Sequence, residues 1–193
     1  SIRLALGTFT LAFPHVQVWA SGVDLVLAGS ASPIRVDLDR WRGWLAGPGP
    51  LQILVRKHWS VREAADLLGH YVMGRATLLR ALREAVPDTD DVPWLEIRAP
   101  RALGMSIAPP MDALWRVKML AGDLMPETIG APPPAGSVLS AAARGGHLSR
   151  PFAVRTAERA VSLGGGDDAR AALLAARAAM AQKPLQESLA EAQ

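Results

Sequence analysis

The chain reads as an α/β protein that gives way to a helical C-terminal stretch, and three observations carry that reading. Two short β-rich runs, Val16–Ala20 and Leu25–Ala28, are separated only by the turn Ser21-Gly-Val-Asp24. Helical patterns flank that pair on both sides. Beyond the Pro/Gly-rich segment Gly130–Gly136, alanine-rich helical sequence dominates. Two strands this close must run antiparallel, because a parallel return needs about a dozen residues of crossover.

Taken in order, Ile2, Leu4, Leu6, Phe9, Leu11, Ala12 and Phe13 suit a helix buried on most sides and ended by Pro14. The hairpin follows, and Gly29-Ser-Ala-Ser-Pro33 breaks its second strand. Asp37 is suited to cap a short helix over Leu38–Leu45, closed by Gly47-Pro-Gly-Pro50. A further helical region is expected to open at Ser60, with Glu63 completing a capping box. Gly74 would divide it from Ala76–Val86. Pro87–Asp91 has turn composition, and Trp94–Ile97 is expected to be extended. Helices are then expected near Met111–Leu124, Ser137–Arg144, Phe152–Leu163 and Asp167–Gln182, with a frayed end after Lys183. Gly130–Gly136 reads as a linker of polyproline character. No repeat of about 34 residues is visible among the last helices.

Half of the 193 residues are apolar and a fifth are charged, which fits a globular chain rather than a disordered one. The net charge is only +3, and 18 of the 21 basic residues are arginine, spread among acidic ones. No dense basic patch points to nucleic acid; the arginine and alanine bias reads as GC-rich coding. With no cysteine, disulfides and thiol catalysis are excluded, and a cytoplasmic setting is expected. The longest apolar stretch, Leu4–Phe13, is half of the roughly 18–20 residues that a membrane span needs. Ser1 stands directly inside a helical pattern, so the chain is expected to be a piece of something longer.

Two blocks carry a family resemblance. Thr8–Arg40 contains T-F-T-L-A-F-P-H-V-Q-V-W followed by D-L-V-L-A-G-S, and Asp88–Arg101 reads D-T-D-D-V-P-W-L-E-I-R-A-P-R. Together they resemble the C-terminal portion of bacterial spermidine synthase-like proteins, the polyamine aminopropyltransferase branch of the adenosylmethionine-dependent methyltransferase fold. The likeness runs over Leu4–Leu103. It implies a partial doubly wound, Rossmann-like sheet that retains its antiparallel edge hairpin, with a transferase portion over residues 1–104 and a helical extension over 105–193.

The same resemblance implies a parent enzyme that uses decarboxylated adenosylmethionine as co-substrate and a polyamine as acceptor. The nucleotide loop and the acidic strand ends of that family lie upstream of the hairpin, so this stretch alone is expected to bind no cofactor and to be inactive. Its first partner would be the upstream part of its own chain. Such parents often carry membrane-spanning segments upstream, placing this part on the cytoplasmic side; a homo-oligomer is compatible with the resemblance.

Candidate site residues are few. Asp88, Asp90 and Asp91 form the one acidic cluster of interest, and clustered carboxylates attract polycationic amines. Asp88 and Asp90 are equally typical turn residues whose side chains bond their own backbone, and that reading is preferred. The family has Asn at the position of Asp88, which leaves a turn role intact. His15, at the mouth of the first strand, reads as a hydrogen-bonded structural residue. His58, His70 and His147 are scattered without an H-x-x-x-H pair, so no metal site is indicated. Gly164-Gly-Gly-Asp167 follows a helix rather than a strand and is no phosphate cradle. The six tryptophans are expected to pack the core or cover a sheet edge.

Alternative readings are a methyltransferase or inactive relative, a helical interaction module over 105–193, and a helix-turn-helix in Ser60–Arg83. The last is weakest. Arg75 stands where that motif wants a buried apolar residue, and His70–Gly74 is long and apolar for its turn.

Overall fold

The computed structural model describes residues 2–21, 24–82, 108–145 and 148–190. The expected elements at Pro87–Asp91 and Trp94–Ile97, and the 104/105 boundary, lie outside the described residues. Helix α1 (Ile2–Ala12) leads into strands β1 (His15–Ser21) and β2 (Asp24–Ser30). Their antiparallel register runs from His15 opposite Ser30 to Ser21 opposite Asp24, the hairpin that the sequence predicts. Alternation sets the faces: Val16, Val18 and Ala20 are buried against one layer, while Trp19 turns to the other.

A third strand, β4 (Tyr71–Gly74), pairs antiparallel with the other edge of β1, with an irregularity between Val18 and Trp19. The sheet order is β2-β1-β4. The end of the helical region that the sequence predicts from Ser60 to Gly74 is therefore a strand. Parallel pairing is confined to two residues, where β3 (Val36–Asp37) lies beside β5 (Thr128–Ile129).

Helix α2 (Leu38–Leu45) starts as expected, with the Arg40 N–H donating to Asp37 Oδ1 at 2.9 Å. Helix α3 (Pro50–His58) was not expected. Its Pro50 opens the helix at the first turn, where a missing N–H costs nothing, rather than closing the previous one. Helix α4 (Ala64–Gly69) begins three residues later than its predicted capping box. Ser60 is in the left-handed region at φ 55°, which swings Val61 into full burial. Asp66 then does the capping: its Oδ2 accepts from the N–H groups of Glu63 (3.2 Å) and Arg62 (3.0 Å). Helix α5 (Arg75–Ala81) follows β4 directly.

Helices α6 (Ala108–Ala121), α7 (Ala135–Arg144), α8 (Arg150–Ser162) and α9 (Gly166–Ala190) complete the described chain. Helix α9 continues to Ala190, past the end expected near Gln182. The three-residue run Gly164–Gly166 has a packing role. A Cβ on Gly165 would lie 3.0 Å from the backbone carbon of Gly136, and Gly164 and Gly166 both have positive φ. A turn this tight against another helix start admits no side chain.

One cluster joins α1, the sheet and the later helices: Leu6, Val16, Val18, Val72, Met73, Leu78, Trp115 and Phe152 are all members. The opposite face carries Leu38, Ala64, Leu68 and Val138, packed by Trp19 and Val36. The molecule is thus a small antiparallel sheet between two apolar layers, in the mixed α/β class that the sequence indicates.

Candidate functional site

Three features of the described residues have functional chemistry. The first is a polar surface cleft of about 730 Å³ where the start of α4 meets α7 and the start of α9. Glu63, Asp66, Asp168, Arg62 and Arg144 line it, with Trp59 at its wall. An adjoining recess of about 490 Å³ shares Arg62, Glu63 and Asp168 and adds Arg42 and Arg56. Several of these charges are committed to the fold. Asp66 Oδ1 lies 3.4 Å from Arg144, and Arg56 donates to the carbonyls of Leu45 and Gly47. The cleft presents both signs of charge, so it suits a ligand with both ammonium and anionic groups better than a simple anion.

The second feature is an apolar recess of about 300 Å³ walled by Trp19, Val26, Ala28, Val36, Trp59 and Leu67. It lies on the outer face of the hairpin. The adjacent outer edge of β2 has no strand partner among the described residues. His70, at the floor, is tied into the fold: Nδ1 is 2.6 Å from the Ala20 carbonyl oxygen and Nε2 is 3.1 Å from that of Trp59. Its role is to join β1 to the turn before α4.

The third feature is buried and was not anticipated. Lys118, on α6, is fully buried, and its Nζ donates to the Tyr71 carbonyl on β4. The amine lies 4.2 Å from the Trp115 ring centroid and 4.9 Å from that of Tyr71. Tyr71 Oη donates to Asp123 Oδ1 at 2.8 Å, and the Gly74 N–H donates to Asp123 Oδ2 at 2.9 Å. Burial pulls the Lys118 pKa down to about 7, with the Asp123 charge working against that fall. Burial raises the Tyr71 phenol well above its usual range, and the charge and hydrogen bond of Asp123 push the same way. A signal existed in the sequence: Lys118 follows Leu114 and Trp115 at helical spacing, on a face that must be buried.

The acidic candidates Asp88, Asp90 and Asp91 lie outside the described residues, as do His147 and Trp94. His15 heads β1 opposite Ser30. Of the tryptophans, Trp115 is fully buried, Trp19 packs edge-on against Tyr71 at 5.4 Å, and Trp41 lies tilted against Trp44 with ring centroids 4.9 Å apart. Trp59 is 43% exposed at the rim of both clefts. Among the described residues no group of three or more His, Asp or Glu is placed to hold a metal ion, and no helix is long and apolar enough to cross a membrane.

No family model matches the chain, and no curated protein or solved structure matches it.

Proposed function

We propose that this chain is the C-terminal part of a spermidine synthase-like aminopropyltransferase, supplying an antiparallel hairpin that joins a doubly wound, Rossmann-like sheet through its β2 side, with β4 as the outer strand and the nucleotide site upstream. One observation carries the reading. The passage T-F-T-L-A-F-P-H-V-Q-V-W…D-L-V-L-A-G-S forms helix, strand and antiparallel strand in that order, and β2 is apolar on both faces, with no strand partner on its outer edge among the described residues. A strand with a continuous Leu25-Val-Leu-Ala28 run suits the inside of a larger sheet, not its rim.

In the parent, an amine nitrogen of a polyamine such as putrescine attacks the aminopropyl carbon next to the sulfonium of decarboxylated adenosylmethionine. The new C–N bond forms as the C–S bond breaks, methylthioadenosine leaves, and the attacking amine loses a proton. Positioning and desolvation of the amine carry most of the acceleration. Asp88, Asp90 and Asp91 would stand at the amine side of that site. The residues described here brace the sheet.

The test compares two polypeptides. By calorimetry, the 193-residue chain is expected to show no micromolar binding of decarboxylated adenosylmethionine. A polypeptide that includes the upstream portion is expected to convert it with putrescine to spermidine and methylthioadenosine. Binding by the short chain, or no transfer by the long one, overturns the proposal.

A further inference from the structure

Beyond that reading, and independent of it, lies the buried amine between α6 and the sheet. We propose that Lys118 is a proton-dependent latch: as a neutral amine it holds β4 against α6, and each opening of that contact takes up a proton. Two geometric facts make it a latch rather than a filler. Lys118 has no exposed surface, and Tyr71 O, to which its amine donates, belongs to a strand on the edge of the sheet. A charged ammonium enclosed this way must be neutralised or must reach water.

Among the described residues Asp123 is the carboxylate within electrostatic reach, and both of its oxygens are already engaged, one by Tyr71 Oη and one by the Gly74 N–H. To pair with an ammonium it must give up bonds that hold β4, so protonation and attachment of β4 oppose each other. Among the described residues, the other charged groups on neighbouring elements are engaged elsewhere or exposed. On α5, Arg75 is directed to the Thr10 carbonyl and Arg80 is exposed. Asp112 and Arg116 share α6; Asp112 accepts from the Ser149 N–H, and Arg116 is exposed. Arg144 of α7 reaches Asp66, and the described charged side chains of α8 and α9 are exposed. The indole of Trp115 and the phenol ring of Tyr71 soften the cost of the charge without removing it.

The sign follows from linkage. The folded pKa near 7 lies below the ordinary lysine value of 10.5, so the open form binds more protons between those values. The latch is strongest at alkaline pH, weakens as pH falls through that window, and levels off below about 7. Between about pH 9 and about pH 7, opening should become roughly a hundredfold more frequent, one decade per pH unit.

The experiment uses the whole 193-residue chain. Lys57, Lys118 and Lys183 are its only lysines, so their side-chain nitrogens can be resolved and titrated by NMR. Lys118 is expected to titrate near 7. Amide exchange at Tyr71–Gly74, corrected for intrinsic rate and referenced to Phe152–Ala160 in α8, should show the hundredfold rise, and Lys118→Met should abolish it. Titration of Lys118 near the ordinary lysine value of 10.5 overturns the proposal. So does an unchanged pH response in Lys118→Met, or an equal response in the α8 amides, which would signal global unfolding. Should Lys118→Met fail to fold, Asp123→Asn decides: it should lower the Lys118 titration further, and an unmoved or raised titration overturns the proposal.

Discussion

The two edges of the three-stranded sheet are built from similar β-forming residues and end in opposite ways. At the β4 edge, Tyr71, Val72 and Met73 are buried, the Tyr71 carbonyl is taken by Lys118, and Asp123 satisfies both the Tyr71 phenol and the Gly74 N–H. At the β2 edge no residue of the strand is fully buried, and Val26 is 44% exposed beside an apolar recess. An edge strand is ordinarily blunted by charge, proline or a covering element. β4 is covered by α6; among the described residues β2 has no strand partner on its outer edge and carries only Asp24 at its start. The difference shows that an edge is defined by what satisfies its backbone, not by its own sequence.

The sharpest way to break this contrast is to place the same charge on each edge. Val72→Asp buries a carboxylate with no partner and should cost about 3–5 kcal/mol, read as loss of cooperative unfolding or a large fall in denaturation midpoint. An effect below about 1 kcal/mol would contradict the sealed description of β4. Next in size is Asp123→Ala, which strands the Tyr71 hydroxyl and the Gly74 N–H. It should cost about 2–3 kcal/mol in urea unfolding. A neutral result would mean that water replaces the carboxylate and that the β4 edge is wetter than its burial implies.

The contrast also marks where the sequence could be read and where it could not. The hairpin was legible because Val16, Val18 and Ala20 alternate and the turn is too short for anything but an antiparallel return. Asp37 before Leu38 announced α2, and the helices from Ala135 onwards start within two residues of their expected positions. β4 was not legible. Four residues between two helical patterns are too few to show a period, and its partner on β1 lies about fifty positions away. α3 was hidden because Gly47-Pro-Gly-Pro50 signals both an ending and a beginning, and Leu51, Ile53 and Leu54 remain exposed, so no clear buried stripe marks it. Ser60 looked like a cap by residue type, yet its left-handed backbone serves to aim Val61 inward, and capping passes to Asp66. For the buried amine, Leu114 and Trp115 marked the face; what no local pattern contains is the distant carbonyl of Tyr71 that receives it.

On the β2 edge the matching change to Val72→Asp is Leu25→Asp. Leu25 is partly buried against the main cluster, so its carboxylate can reach solvent and the cost should be about 1–2 kcal/mol. Equal losses for the two variants, measured in the same denaturant, would erase the distinction between a sealed and an open edge.

The smallest effect should come from Val26→Lys. Its side chain is 44% exposed on the outer face, so unfolding free energy should change by no more than about 0.5 kcal/mol. Its value lies in what else it moves. An ammonium at the rim of the Trp19–Trp59 recess blunts β2 as lysines blunt natural edge strands, so any concentration-dependent self-association of the chain should fall while stability stays put. A stability loss as large as that of Leu25→Asp would show instead that Val26 is held by packing that its exposure conceals. The open edge would then be no more open than the sealed one.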